Sequence, residues 1–137
     1  MKAKLLLRIA AVLMLLHAIG HTMGALGWKK APNNAIAQVI SGMQNNHFNF
    51  MGRSSSLAGF YEGYGVSMIL VLLFVSILLW LLSASPAKPL VMLTGLFLVG
   101  LATVEFIYFF PFAAAFSLVA GLGALMALRG EQPLSQN

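Results

Sequence analysis

The amino-acid sequence predicts an all-α integral membrane protein: a four-transmembrane-helix bundle with an extra amphipathic helix between the first and second spans. Of its 137 residues, 60% are hydrophobic and only 8% are charged. A mean hydropathy of +0.90 is far from the composition of a soluble domain. Four apolar runs are each close to the roughly 20 residues that a spanning helix needs. We therefore expect a single transmembrane domain over residues 1–137.

The first span is predicted at about residues 4–28, directly after a basic start. Lys2, Lys4 and Arg8 precede or enter the apolar run. This arrangement is also typical of a secretory signal peptide, with residues 18–20 (Ala-Ile-Gly) as a small-residue cleavage site. The apolar run continues past that site to Leu26, which makes it long enough to span a membrane. A retained first helix is therefore the preferred interpretation.

A long polar stretch, residues 29–59, separates the first two spans and contains the predicted amphipathic helix. Ile36, Ile40, Met43, His47 and Phe50 recur at helical spacing, whereas the Asn and Gln side chains of this stretch lie mostly on other faces. Such a pattern is typical of a helix that lies in the interface between membrane and water. The sequence therefore predicts an interfacial helix at about residues 35–50.

Three further spans are predicted at about residues 60–83, 90–110 and 112–128. A Pro-containing segment, residues 83–89, ends the second span, and Pro111 marks a tight turn between the third and fourth. The nine residues from Arg129 to Asn137 are expected to form a short polar tail. Together these elements complete the predicted four-helix bundle.

The distribution of charge indicates an orientation in the membrane. Eight basic and three acidic residues give a net charge of +5, too sparse for a nucleic-acid-binding surface. One side of the membrane receives five basic residues and the other three: Lys2, Lys4, Arg8, Lys88 and Arg129 against Lys29, Lys30 and Arg53. The excess predicts an inner-membrane protein with both termini in the cytoplasm. The absence of cysteine excludes disulfides and thiolate metal sites.

Four ionisable residues are predicted to share the outer half of the membrane. His17 and His21 are one helical turn apart in the first span, Glu105 lies near the outer end of the third, and Glu62 opens the second. Ionisable residues in spanning helices are costly, face the interior of a bundle and usually mark a site. These four residues are therefore the centre of the predicted site.

The preferred hypothesis is that this site binds a lipid-like or amphiphilic small molecule. Carboxyl and imidazole groups are the usual groups for general acid–base chemistry near neutral pH. His21, Glu105 and Glu62 are therefore the candidate catalytic residues. Further candidate ligand-binding residues lie nearby in the predicted arrangement: His17, His47, Arg53, Tyr61, Tyr64 and Tyr108.

Two other hypotheses stay open from the sequence. Histidines at i and i+4 can chelate one metal ion with carboxylates from facing helices, which would make His17, His21, Glu62 and Glu105 a metal site. Alternatively, the histidines hydrogen-bond Glu105 only to hold helices together, and the chain is a non-catalytic accessory subunit of a larger membrane complex or a homo-oligomer. Membrane lipid is an expected partner in every case, and the sequence identifies no cofactor.

Two segments, HAIGHTMGALGW and FNFMGRSSSLAGFYEGYG, carry a resemblance to a known family. The chain resembles small bacterial four-helix membrane proteins that have an HTxG signature in the first helix and a GRS…FYxGYG signature opening the second. The resemblance implies a four-helix membrane architecture and implies no activity. The signature positions that it implies are His21, Gly24, Gly52, Arg53, Ser54, Tyr61, Gly63, Tyr64 and Gly65.

Overall fold

The computed structural model describes residues 2–130, and most of these residues are α-helical. The helices are α1 (Lys2–Gly27), α2 (Asn34–Asn45), α3 (Leu57–Ala84), α4 (Lys88–Tyr108) and α5 (Pro111–Ala127), and a 3-10 turn follows at Leu128–Gly130. The predicted all-α class is confirmed, and the four long helices begin and end within a few residues of the predicted spans. The predicted polar tail, including Glu131, lies from residue 131 onward outside the described residues.

Three of these helices are long and apolar enough to cross a membrane. They are the segments Ala3–Gly27, Leu57–Ala84 and Lys88–Tyr108. Even the shortest of them has 21 residues, and at 1.5 Å per residue it is roughly as long as the 30 Å hydrocarbon core is thick. Helix α5 is apolar as well but has 17 residues, which gives a length of about 26 Å.

The chain divides into two compact units, and the boundary falls within α1 and α3. Unit one comprises Met1–Ala18 and Leu72–Asn137, and unit two comprises Ile19–Val71. The largest fully buried apolar side chains of the described residues all belong to unit one: Leu7, Met14, Leu72, Leu79, Val91 and Leu98. In unit two, Ala58 is the only buried residue. The apolar core of the described chain therefore lies in unit one.

Within unit one, α1 and α3 are antiparallel neighbours. The Ser76 hydroxyl donates a hydrogen bond of 2.8 Å to the carbonyl oxygen of Ala11. One turn away, the Arg8 guanidinium lies 5.0 Å from the centre of the Trp80 ring. Going from the first contact to the second, the residue number falls from 11 to 8 on α1 and rises from 76 to 80 on α3. The two helices therefore run in opposite directions.

Helices α4 and α5 form a tight antiparallel pair in unit one. A Cβ atom on Gly121 of α5 would lie 3.0 Å from both the carbonyl oxygen of Gly95 and the Cβ of Leu98 on α4. Small residues at a helix interface let two backbones approach closely. The buried residues of α5 agree with this packing, because all are Ala, Gly or Ser: Ala113, Ala114, Ser117, Ala120, Gly121, Ala124 and Ala127.

The predicted interfacial helix at residues 35–50 is too long and must be corrected. Helix α2 begins at Asn34, where the Asn33 side chain accepts a hydrogen bond from the Ile36 backbone N–H, and it ends at Asn45. Asn46 already has an extended backbone. Asparagine is a poor residue for a helix interior because its side chain competes for backbone hydrogen bonds. Two consecutive asparagines therefore end the helix where the apolar spacing suggested that it continues.

The residues that follow form a β-hairpin that the sequence reading did not predict. Strand β1 (His47–Phe50) pairs antiparallel with strand β2 (Arg53–Ser56), with Phe50 opposite Arg53. Met51 and Gly52 form the two-residue turn with φ angles of 50° and 82°. Two positive φ angles match the twist of the strands in a type I′ turn. Met-Gly is an unusual sequence for that turn, so the usual Asn-Gly or Asp-Gly signal was missing.

We expect Gly121→Ala to lower the stability of the protein by about 1–3 kcal/mol, because the added methyl group would press against the α4 backbone. Gly100→Ala on α4 is the matched control, since nothing lies within 4 Å of its Cβ position. Equilibrium unfolding of the detergent-solubilised protein measures both. Equal stability of the two variants would contradict the close approach of α4 and α5.

Candidate functional site

Three polar side chains from three helices meet inside unit one. His17 of α1 lies between Glu105 of α4 and Ser117 of α5. Its Nε2 is 3.5 Å from Glu105 Oε1, and its Nδ1 is 3.2 Å from Ser117 Oγ. Each ring nitrogen therefore faces a different partner. The predicted association of His17 with Glu105 is present in the structure.

These three side chains are almost completely removed from solvent. The side chains of His17 and Glu105 are each 7% exposed, and Ser117 is fully buried. A neutral imidazole that donates through Nε2 to the carboxylate leaves Nδ1 free to accept from the serine hydroxyl. We call these three residues the polar chain, in which each ring nitrogen of His17 has a polar side chain beside it.

The packing of α5 explains how Ser117 enters this arrangement. Ser117 lies on the same face of α5 as Ala113, Ala120 and Ala124, at spacings of three to four residues. Because these neighbours are small, the helix backbone approaches its partners closely and a short hydroxyl can reach His17. The sequence reading missed Ser117. The signal that could have identified it was one polar residue on a helix face that otherwise consists of small apolar residues.

The second carboxylate oxygen of Glu105 has no partner in the described part of the chain. Glu105 Oε2 is buried, yet it makes no hydrogen bond within residues 2–130. Buried polar atoms nearly always have a partner, and leaving one unsatisfied costs roughly 1–3 kcal/mol. This oxygen is therefore a position where a donor group from a bound molecule would be stabilised.

Two aromatic rings extend from the polar chain to the surface of unit one. The Phe116 ring centre is 5.9 Å from that of His17, and the Phe112 ring is 5.1 Å from Phe116 in an edge-to-face contact. Phe112 itself is 71% exposed. An apolar surface thus begins beside the imidazole and ends on the outside of α5.

His21 belongs to unit two and is partly buried there. Its Nε2 is buried and, like Glu105 Oε2, has no hydrogen-bond partner among residues 2–130. The prediction that His21 is a catalytic residue rests on its position in the first span. That role stays a prediction.

Glu62 lies in an exposed ion pair of unit two. Its Oε1 is 2.6 Å from Lys29 Nζ, and both side chains are about half exposed. Lys29 Nζ also lies 5.7 Å from the centre of the Trp28 ring, and the ring centres of Trp28 and Tyr61 are 4.9 Å apart. Exposed ion pairs contribute little free energy, about 0–1 kcal/mol. Glu62 therefore has the surroundings of a surface residue and not those of a buried acid.

The remaining predicted ligand-binding residues are exposed. His47 opens β1, and its Nδ1 is 3.1 Å from the Asn45 carbonyl oxygen. Arg53 opens β2, and Tyr64 and Tyr108 lie on α3 and α4. All four side chains are on the surface of the units that contain them. Of the predicted site residues, the structure thus brings together His17 and Glu105 and adds Ser117.

The four residues of the predicted metal site are divided between the two units, His17 and Glu105 in unit one and His21 and Glu62 in unit two. Among residues 2–130, no group of three or more His, Cys, Asp or Glu side chains is close enough to hold a metal ion. His17 and Glu105 supply two such groups, and the third member of the polar chain is a serine hydroxyl. The donor set expected for a metal ion in a helical bundle has more carboxylates and histidines than this.

In comparisons with known proteins, no family model, curated protein or solved structure matched the chain. The resemblance to small bacterial membrane proteins stays a prediction from the sequence.

We expect His17→Ala to lower stability more than Ser76→Ala. The first substitution removes contacts to Glu105 and Ser117, whereas the second removes one hydrogen bond, to Ala11. Interhelical hydrogen bonds in membranes contribute about 0.6 kcal/mol on average and at most about 1.7 kcal/mol. Equilibrium unfolding in mixed detergent micelles measures the difference. If the two variants lost the same stability, the polar chain would not link three helices.

Proposed function

We propose that the chain is a small integral membrane protein that binds a lipid-like or amphiphilic small molecule at Glu105. The observation that carries this proposal is the buried Oε2 atom of Glu105, which makes no hydrogen bond within the described residues. A hydroxyl, amide or ammonium group of a bound molecule would supply the donor. Ionisable residues inside spanning helices mark ligand or ion sites more often than they serve packing alone.

Four membrane spans are part of the proposal. Helix α4 is long enough to cross, and α5 packs antiparallel against it through Gly95 and Gly121. A helix in such close contact with a spanning helix lies at the same depth in the membrane. The 17 residues of α5 fall a few ångströms short of the hydrocarbon thickness, and local thinning of the bilayer accommodates that mismatch at a modest cost.

We further propose an inner-membrane location with both termini in the cytoplasm. With four spans, the five basic residues of the termini and of the α3–α4 connection share one side of the membrane, and the three between α1 and α3 share the other. The side with more Lys and Arg faces the cytoplasm. Glu105, one turn before the end of α4, then lies toward the outer face.

The polar chain suits a ligand that carries one polar group on an apolar body. Glu105 would accept a hydrogen bond from the polar group through Oε2 while Oε1 faces His17. The apolar body would lie along the rings of Phe116 and Phe112, which lead from the imidazole to the exposed side of α5. A molecule dissolved in the bilayer could reach this surface without crossing water.

Acid–base chemistry at the same place is the finer part of the proposal. Glu105 is the residue that would exchange a proton with the ligand, and His17 would take up or return that proton through its contact with Oε1. Ser117 would stabilise the ring orientation by its contact with Nδ1. Of the three candidate catalytic residues predicted from the sequence, Glu105 therefore takes the central role here.

We expect Glu105→Gln to lose the bound molecule. Native mass spectrometry of the gently solubilised full-length protein should show a mass adduct in the wild type and a several-fold weaker adduct in the variant. The amide group of glutamine has one acceptor oxygen fewer than a carboxylate and carries no carboxyl proton. Ser76→Ala is the matched control. It also removes a buried polar group of unit one, but one whose hydrogen bond to Ala11 is already satisfied.

Two results would overturn the proposal. One is a wild-type protein without adduct under conditions that preserve bound lipids. The other is an adduct of equal intensity in all three proteins. An accessory subunit of a larger complex would instead show unchanged adducts and a lower recovery of its partner protein from Glu105→Gln membranes.

A further inference from the structure

A second surface of unit one combines a cation with an apolar groove. The groove lies between α1 and α3, has a volume of about 310 Å³, and is lined by Arg8, Ile9, Val12, Leu13 and Trp80. Almost all of the surface that lines the groove is apolar, and the guanidinium of Arg8 lies 5.0 Å from the centre of the Trp80 ring. The groove is therefore apolar, with one cation beside the ring of Trp80.

The charge of Arg8 has no acidic partner in the described part of the chain. The two ion pairs found among residues 2–130 use His17 with Glu105 and Lys29 with Glu62. Arg8 is exposed, and Lys4, one helical turn before it on α1, is exposed as well. Like charges at positions i and i+4 of a helix repel each other. An anion bound between Lys4 and Arg8 would relieve that repulsion.

The order of residues along α1 sets the direction of a bound molecule. Lys4 and Arg8 come first, and Ile9, Val12 and Leu13 continue the groove toward the middle of the helix. A ligand with an anionic head and an apolar chain would place its head near the helix start and its chain farther along. Arginine with an adjacent tryptophan is well suited to the head, since a guanidinium binds phosphate oxygens through paired N–H groups and tryptophan is typical of the membrane interface.

We propose that this groove binds one anionic glycerophospholipid, with its phosphate at Arg8 and Lys4 and one acyl chain along Ile9, Val12 and Leu13 beside Trp80. The proposal is separate from the amphiphile site at Glu105 and shares with the proposed function the embedding of the chain in a membrane and the cytoplasmic side of the start of α1. Anionic lipids are abundant at the cytoplasmic leaflet and attract basic residues that flank spanning helices.

Quenching of Trp80 fluorescence by brominated lipids tests this proposal. The protein has two tryptophans, so Trp28→Phe leaves Trp80 as the only reporter. The full-length variant is placed in phosphatidylcholine bilayers that contain a small fraction of either dibromo-phosphatidylglycerol or dibromo-phosphatidylcholine. We expect several-fold stronger quenching by the brominated phosphatidylglycerol, because it competes for the groove while the zwitterionic lipid does not.

Variants in the same Trp28→Phe background identify the residue that selects the anionic lipid. Arg8→Gln should remove the preference, and Arg8→Lys should keep most of it. Lys30→Gln is the matched control, since it removes one positive charge from an exposed position outside the groove. The ratio between the two brominated lipids cancels any direct effect of Arg8 on the fluorescence of Trp80.

The proposal fails if Trp80 is quenched equally by both lipids, or by neither. It also fails if Arg8→Gln keeps the preference, or if Lys30→Gln loses it to the same extent, because a general attraction of the basic protein for anionic bilayers would then explain the result. None of these outcomes depends on a ligand at Glu105.

Discussion

The imidazole of His17 lies between a carboxylate and a hydroxyl in a part of the chain where most other buried side chains are apolar. A polar group in such surroundings has few partners other than those that neighbouring helices provide. Meeting that requirement brings α1, α4 and α5 to one place. The orientation of α4 and α5 about their own axes is then fixed, because Glu105 and Ser117 must both face α1.

Close packing makes these polar contacts attainable. A serine side chain is short, so it reaches a histidine on another helix only when the backbones are near each other. The run of Ala, Gly and Ser on the buried face of α5 permits that approach, and Gly95 and Gly121 bring α5 equally close to α4. Small residues and polar residues therefore act together in unit one, as they do in membrane helices generally.

The polar groups of the chain differ in what surrounds them, and this difference separates a candidate site from a surface feature. Glu105 and Glu62 are both carboxylates near helix ends, yet one is buried beside an imidazole and the other is half exposed beside a lysine. Water and salt weaken the second interaction, whereas the first is shielded from both. The buried residue is the one whose second oxygen makes no hydrogen bond within the described residues.

The sequence alone determined the helical class and the approximate ends of the four long helices, since apolar runs and prolines act locally along the chain. It also identified His17 and Glu105, because ionisable residues are conspicuous in apolar segments. It failed at residues 46–56, where a Met-Gly turn carries no usual hairpin signal. Only the tertiary structure decided that Ser117 joins His17 and that Glu62 pairs with Lys29, because side-chain partners on different helices depend on helix rotation and spacing, which residue spacing within one helix does not encode.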